Sequence, residues 1–185
     1  MVAPPSSLDI SRLLADPTLP APVRQFLTAG GQLESIVLDD QGQWSHQGEP
    51  FLNQALSALF SRSLQRTKGG TWVLHIAPFS YPVTLADTPY YVRSARLSDD
   101  AVHLGLSDDS QERLDPGTLR YVEGRGLYCR VKPEAAPGFA ARFLRPAYYA
   151  LADHISEEAG GFFLRTDSER IAVPVVSWEQ ARTPG

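Results

Sequence analysis

Cysteine is almost missing from these 185 residues: Cys129 stands alone, which excludes an internal disulfide and any metal cluster built on cysteine. Lysine is scarce too, with only Lys68 and Lys132, so arginine carries nearly all the positive charge. The formal net charge is −4, which argues against a protein made to grip nucleic acid. No long apolar run exists. The longest mostly apolar stretch, Ala135 to Ala152, is broken by Arg142 and Arg145 and does not suit a bilayer. The opening residues MVAPPSSLDISRLLADPTLP have neither a basic start nor an apolar run, so no secretory signal is expected and a cytoplasmic protein is the default.

Motifs of known chemistry are equally sparse. His46, His75, His103 and His154 are isolated from one another, and zinc or iron needs three or four converging donors, so no metal site is expected. Asp99-Asp100 and Asp108-Asp109 lack the spacing of a calcium loop and read as turns. There is no Gly-x-Ser-x-Gly elbow and no phosphate-cradling glycine loop that opens a helix. Cys129 alternates with Leu127 and Val131, which marks it as a buried small hydrophobe rather than a nucleophile. No catalytic residue and no cofactor are assigned, and the chain leans away from being an enzyme.

What is present is an ordered alternation of strand and helix signals. Pro4, Pro5, Pro17, Pro20 and Pro22 restrict the first thirty residues to short helices, an arm that Gly30-Gly31 sets off. Leu33 to Asp40 and Gln43 to His46 predict a hairpin about Gln41-Gly42. Pro50 and the spacing of Leu52, Ala55, Leu56, Leu59, Phe60 and Leu64 predict an amphipathic helix running to Arg66. Trp72 to Pro78 and Pro82 to Asp87 read as a strand pair. Tyr90 to Leu97 and Ala101 to Leu106 flank Ser98-Asp99-Asp100 as a hairpin, and another hairpin turns at Arg125-Gly126. Leu144, Ala147, Tyr148, Leu151, Ala152 and Ile155 predict a second helix, ended by Glu157 to Gly161. A last hairpin turns at Asp167-Ser168, and the tail from Ser177 docks through Trp178.

The two halves share one order: strand, Gly turn, aromatic strand, helix, Gly-Gly, aromatic strand, turn, strand. Gly69-Gly70 and Gly160-Gly161 lie 91 residues apart. The expected fold is α+β, with two small lobes, each a helix packed on a mainly antiparallel sheet or half-barrel, related by an internal repeat. The corresponding divisions are an arm (1–30), an N-terminal lobe (31–97), a C-terminal lobe (98–176) and a tail (177–185).

Residues for a binding site come from charge and aromatics. Between Glu112 and Arg145 seven basic residues face four acidic ones. Alternation puts Tyr128, Arg130 and Lys132 on one strand face, where guanidinium and ammonium match a phosphate and a ring can stack on a base. Trp44 and Tyr90 are candidate stacking surfaces and Asp87 a polar anchor. The alternative fates are a solvated strand face, core aromatics and a turn carboxylate.

Gly42 and Trp44, Gly48 and Pro50, Leu59-Phe60, Pro78, and Asp87 with Pro89-Tyr90 form an ordered set. Through it the chain, from about residue 33 to 174, resembles the bacterial domain-of-unknown-function family 1285. Thr88 departs from that pattern, which usually has Ala, and Phe79, Ser80 and Tyr81 stand where a charged residue is usual. The resemblance implies a two-domain α+β fold with repeated motifs, a cleft between domains, a nucleotide-like or small ligand and a signalling role. The functional expectation is a non-catalytic module that binds a small anionic ligand between its lobes through Trp44, Asp87, Tyr90, Tyr128, Arg130 and Lys132. The alternative is a protein-interaction or homodimerisation module, without a membrane or nucleic-acid partner.

Overall fold

Asp9 starts the first helix. Its carboxylate accepts the Arg12 amide at 3.2 Å and opens α1 (Ile10–Ala15). Pro22 lies in the first turn of α2 (Ala21–Thr28), where its missing N–H costs nothing. This computed structural model describes residues 8–135, 138–158 and 160–183. Pro4, Pro5 and the rest of residues 1–7, Ala159, and the last two residues of the tail lie outside the described residues. The chain divides into two units, Met1–Asp87 and Thr88–Gly185.

The arm is part of the N-terminal unit. Leu13, Leu19, Val23 and Leu27 make a small core of their own, with Leu33 packed on it. Asp16 ties the arm to the loop between Arg66 and Trp72. Its buried carboxylate accepts the Thr18 amide at 2.8 Å, the Thr18 hydroxyl at 2.7 Å and the Thr67 hydroxyl. Burial alone would raise this carboxyl's pKa; hydrogen bonds from Thr67, Thr71 and Thr18 outweigh it and hold the group far below the carboxylate range. The tie also explains Gly69, because a Cβ there would overlap the Asp16 carboxylate. Gly69→Ala is expected to cost about 1–3 kcal/mol by overpacking, read as a lower urea midpoint. An unchanged midpoint would show that the arm gives way freely.

Strands β1 (Ile36–Leu38), β2 (Trp44–His46) and β3 (Glu49–Pro50) form an antiparallel meander, followed by helix α3 (Gln54–Arg62). Strands β4 (Leu64–Arg66), β5 (Trp72–Ile76) and β6 (Phe79–Pro82) form a second meander, and β7 (Thr84–Leu85) returns to run parallel to β1. The helix is shorter than its apolar spacing predicts. Asn53 caps it by accepting the Leu56 amide, Leu52 is 91% exposed, and Leu64 is buried as a strand residue instead. Pro50 sits on an edge strand, where a missing donor is tolerated. The strand pairing is also corrected: β5 pairs with Phe79–Pro82, and Thr84–Leu85 go to the other sheet.

The C-terminal unit opens with β8 (Tyr90–Ser98), β9 (Ala101–Leu106) and β10 (Gln111–Arg113). Asp99 and Asp100 both have positive φ, 51° and 59°, the geometry a two-residue hairpin turn requires. Strands β11 (Arg120–Val122), β12 (Gly126–Val131) and β13 (Phe139–Phe143) complete a six-stranded sheet in the order β10-β9-β8-β13-β12-β11, with β8 and β13 parallel. Helix α4 (Arg145–Ala152) follows, then the meander β14 (Ile155–Glu158), β15 (Gly161–Arg165) and β16 (Arg170–Val173), and helix α5 (Trp178–Arg182). The strand Tyr90–Ser98 pairs within this unit, so the division falls at Asp87/Thr88 rather than at 97/98.

The second helix is likewise shorter than expected. The His154 amide closes it on the Leu151 carbonyl at 3.0 Å, and Ile155–Glu158 is a strand paired with Gly161–Leu164. Gly161, at φ 128°, makes the turn into β15. Leu127, Cys129 and Val131 face the main core with Val92, Leu104, Phe143, Leu151 and Leu164, as their alternation requires. Burial raises the Cys129 thiol far above its ordinary pKa and keeps it inert. Ser177 caps α5 in a capping box with Gln180, and Trp178 and Ala181 pack with Val122 and Tyr128. Among the described residues no helix is long and apolar enough to cross a membrane.

The repeat is topological and complete. Hairpin, third strand, helix and meander recur in order, and Val175 bridges Tyr121 in parallel as β7 pairs with β1.

Candidate functional site

The six residues singled out in the sequence fall in different surroundings. In the N-terminal unit, Trp44 is fully buried; its indole N–H donates to Ser61 Oγ at 3.1 Å, and its ring meets Phe60 edge-on at 5.5 Å. Asp87 is buried at the end of that unit. In the C-terminal unit Tyr128 is buried beneath α5, and Arg130 donates from its guanidinium to the Thr183 carbonyl just past that helix. The face expected to join Tyr128, Arg130 and Lys132 breaks at Lys132, which follows the strand with φ 57°. A residue in that conformation no longer continues the strand's alternation.

Lys132 and Tyr90 do come together, with the ammonium 5.5 Å from the ring centre. The ammonium is already committed. It reaches Asp108 Oδ2 at 2.9 Å, Glu112 Oε1 at 3.1 Å and Ser110 Oγ at 2.6 Å. Burial would lower the Lys132 pKa, but its bonds to Asp108 and Glu112 more than reverse that and raise it. Burial is also the main cause of the raised Tyr90 phenol, helped by Asp108.

An open space lies elsewhere in the C-terminal unit. Tyr121, Leu127, Tyr148, Ala152, Ile155, Glu157, Phe162 and Val173 line a cavity of about 270 Å³ between the β11–β12 edge, α4 and the last meander. The rings of Tyr121 and Phe162 stand 5.2 Å apart at 47°, forming an aromatic corner. Burial raises the Tyr148 phenol, and the neighbouring Tyr121 and Tyr149 phenols add to the shift, so the hydroxyl stays protonated and able to donate. The lining therefore offers apolar walls, two phenols and one carboxylate. Such a lining can orient a small molecule by contact area and a few hydrogen bonds.

Comparison with known proteins places this architecture. A DUF1285 family protein from Silicibacter pomeroyi DSS-3 superposes with a TM-score of 0.60 at 18% identity, over 76% of this chain and 80% of that one. A DUF1285 family protein from Shewanella baltica OS155 superposes with a TM-score of 0.51 at 15% identity, over 65% of this chain and 91% of that one. The chain has the DUF1285 fold. No family model and no curated protein matches the sequence.

Within the DUF1285 fold the cavity has a filled counterpart. Leu38 pairs with Trp44 and, in parallel, with Leu85; Tyr121 pairs with Leu127 and bridges beside Val175. The helices end alike, since the Ser63 amide bonds the Phe60 carbonyl at 3.1 Å and the His154 amide the Leu151 carbonyl at 3.0 Å. Leu64 then pairs with Leu74 as Ile155 pairs with Leu164, and Arg66 with Trp72 as Glu157 with Phe162. Leu127 and Ala152 thus occupy the places of Trp44 and Ser61. Sequence reasoning missed the cavity although its signal was present: aligning the repeats strand by strand exposes these two replacements of a large or polar residue by a small apolar one.

Proposed function

We propose that this chain is a non-catalytic small-ligand-binding module whose site is the cavity of the C-terminal unit. The observation that carries the reading is a space of about 270 Å³ walled by Tyr121, Phe162 and Tyr148. Its size suits a small molecule of one or two rings, at the lower end of ordinary ligand pockets. A phenol, protonated at neutral pH, offers a hydrogen-bond donor for recognition. An anionic, nucleotide-like ligand held by Arg130 and Lys132 has less support. Asp108 and Glu112 already neutralise the lysine, and Thr183 already takes a guanidinium hydrogen bond.

The test is thermal unfolding of the full chain against a panel of aromatic metabolites, nucleosides, nucleotides and short fatty acids. A ligand at a hundred times its Kd adds about 2.7 kcal/mol. For a chain of this length that raises the midpoint by roughly 5–10 °C. A shift that Ala152→Phe abolishes supports the reading. No shift anywhere, with a midpoint that rises with protein concentration, would overturn it in favour of an interaction module. For that module the candidate surface is the exposed pair Ile76 and Phe79, which face each other in the β5–β6 hairpin.

A further inference from the structure

Building on that reading, we infer that the cavity takes a flat, two-ring aromatic molecule that is uncharged or cationic and carries an N–H. The ligand does in the C-terminal unit what the Trp44 indole does in the N-terminal one. There the indole is wholly buried, with its N–H on Ser61 and its face edged by Phe60. In the second repeat the corresponding residues are Leu127 and Ala152, so the indole and its acceptor are missing; Tyr121 and Tyr148 stand where the first repeat has Leu38 and Ser57, and between these rings a cavity of about 270 Å³ remains.

Three features set the chemistry. The first is size: an apolar cavity of about 150 Å³ takes a benzene ring, so the larger volume suits two fused rings and is too small for a nucleotide with its phosphates. The second is the wall. Tyr121 and Phe162 present rings 5.2 Å apart at 47°, which favours an aromatic guest over a chain. The third is charge. Arg66, at 5.7 Å over the Trp72 ring in the first repeat, is replaced by Glu157 facing Phe162 in the second. The carboxylate attracts an N–H or a cation and repels an anion.

The test measures binding of indole, tryptamine, indole-3-acetate and octylamine to the full chain by calorimetry and thermal shift. Tryptamine and indole are expected to bind at least tenfold more tightly than indole-3-acetate. Glu157→Gln, at an exposed position that does not threaten folding, removes the preference for tryptamine over indole-3-acetate. The pair Leu127→Trp with Ala152→Ser restores the indole and its serine acceptor beside Tyr121 and Tyr148, occupies the cavity from within, and is expected to fold, with a midpoint lowered by a few degrees at most, and to lose ring binding. Binding of octylamine without the ring compounds would overturn the aromatic inference and leave the small-ligand reading standing. Equal affinity for indole-3-acetate and tryptamine would overturn the charge assignment, and unchanged ring binding in a folded double variant would overturn the placement. If neither these probes nor the wider panel binds, the inference and the reading it rests on fall together.

Discussion

Trp44→Ala is expected to destabilise the chain by about 3–5 kcal/mol, the usual cost of emptying a large buried aromatic site. At this chain length the thermal midpoint falls by roughly 6–20 °C. Two losses combine. The ring leaves a void beside Phe60 and Phe51, whose own edge contact at 5.2 Å leans on the same cluster. The Ser61 hydroxyl, 1% exposed, also loses its indole donor. Trp44→Phe separates the two effects, since it keeps a ring and removes only the N–H. Urea denaturation of both variants checks this. A loss below about 1 kcal/mol for Trp44→Ala would mean that the site collapses freely, and the comparison of filled and open repeats would lose its basis.

Lys132→Met is expected to cost about 2–4 kcal/mol at neutral pH, a little under the figure for a wholly buried pair, because it strands the buried Asp108 carboxylate and the partly buried Glu112 one. The ammonium is 15% exposed, and its partners Asp108 and Glu112 are 8% and 19% exposed. The sign of the pH dependence follows from the shifts. Burial raises Asp108, but bonds from Ser110 and Lys132 outweigh it, so its folded pKa lies below the unfolded one. Asp108 therefore contributes stability above the ordinary carboxylate range that is lost as pH falls through its folded pKa. Lys132 is raised, so its contribution is full below its unfolded pKa and is lost only as alkaline pH passes the folded one. In Lys132→Met Asp108 loses the ammonium that helps hold its pKa down while its burial still pushes it up, so it takes up a proton more readily and the deficit shrinks as pH falls. Adding Glu112→Gln restores part of the stability at neutral pH. Urea titrations at neutral and acid pH decide the matter, and a deficit that does not change with pH would refute the ion-pair origin.

Much of the architecture was legible because it is local. Alternation alone put Leu127, Cys129 and Val131 in the core, and Asp99-Asp100 marked a hairpin through a turn that both residues tolerate. The two Gly-Gly pairs pointed to the repeat. The second glycine of each pair, Gly70 and Gly161, supplies a positive φ, and Gly69 also makes room for Asp16. The helix ends were not legible. Leu64 and Ile155 continue helical spacing yet begin strands, because an apolar residue at the right interval is equally buried by either element. The parallel pairings of β7 with β1 and of β8 with β13 were out of reach as well, since they join segments far apart in the chain.

The candidate site shows the same division. Turns, periodicity and composition act over a few residues, and they were enough to read an α+β chain built on a repeat, with Trp44 and Phe162 among its strand aromatics and a basic middle section. It took the folded chain to show that Lys132 is held by Asp108 and Glu112, that Tyr128 and Arg130 meet α5 and its end, and that the second repeat keeps an open space. The physical reason is that an ion pair and a cavity both depend on atoms from several elements meeting at one point. Leu127 in the core and Ala152 at its margin are ordinary apolar residues until β11, α4 and the last meander meet around the space beside them.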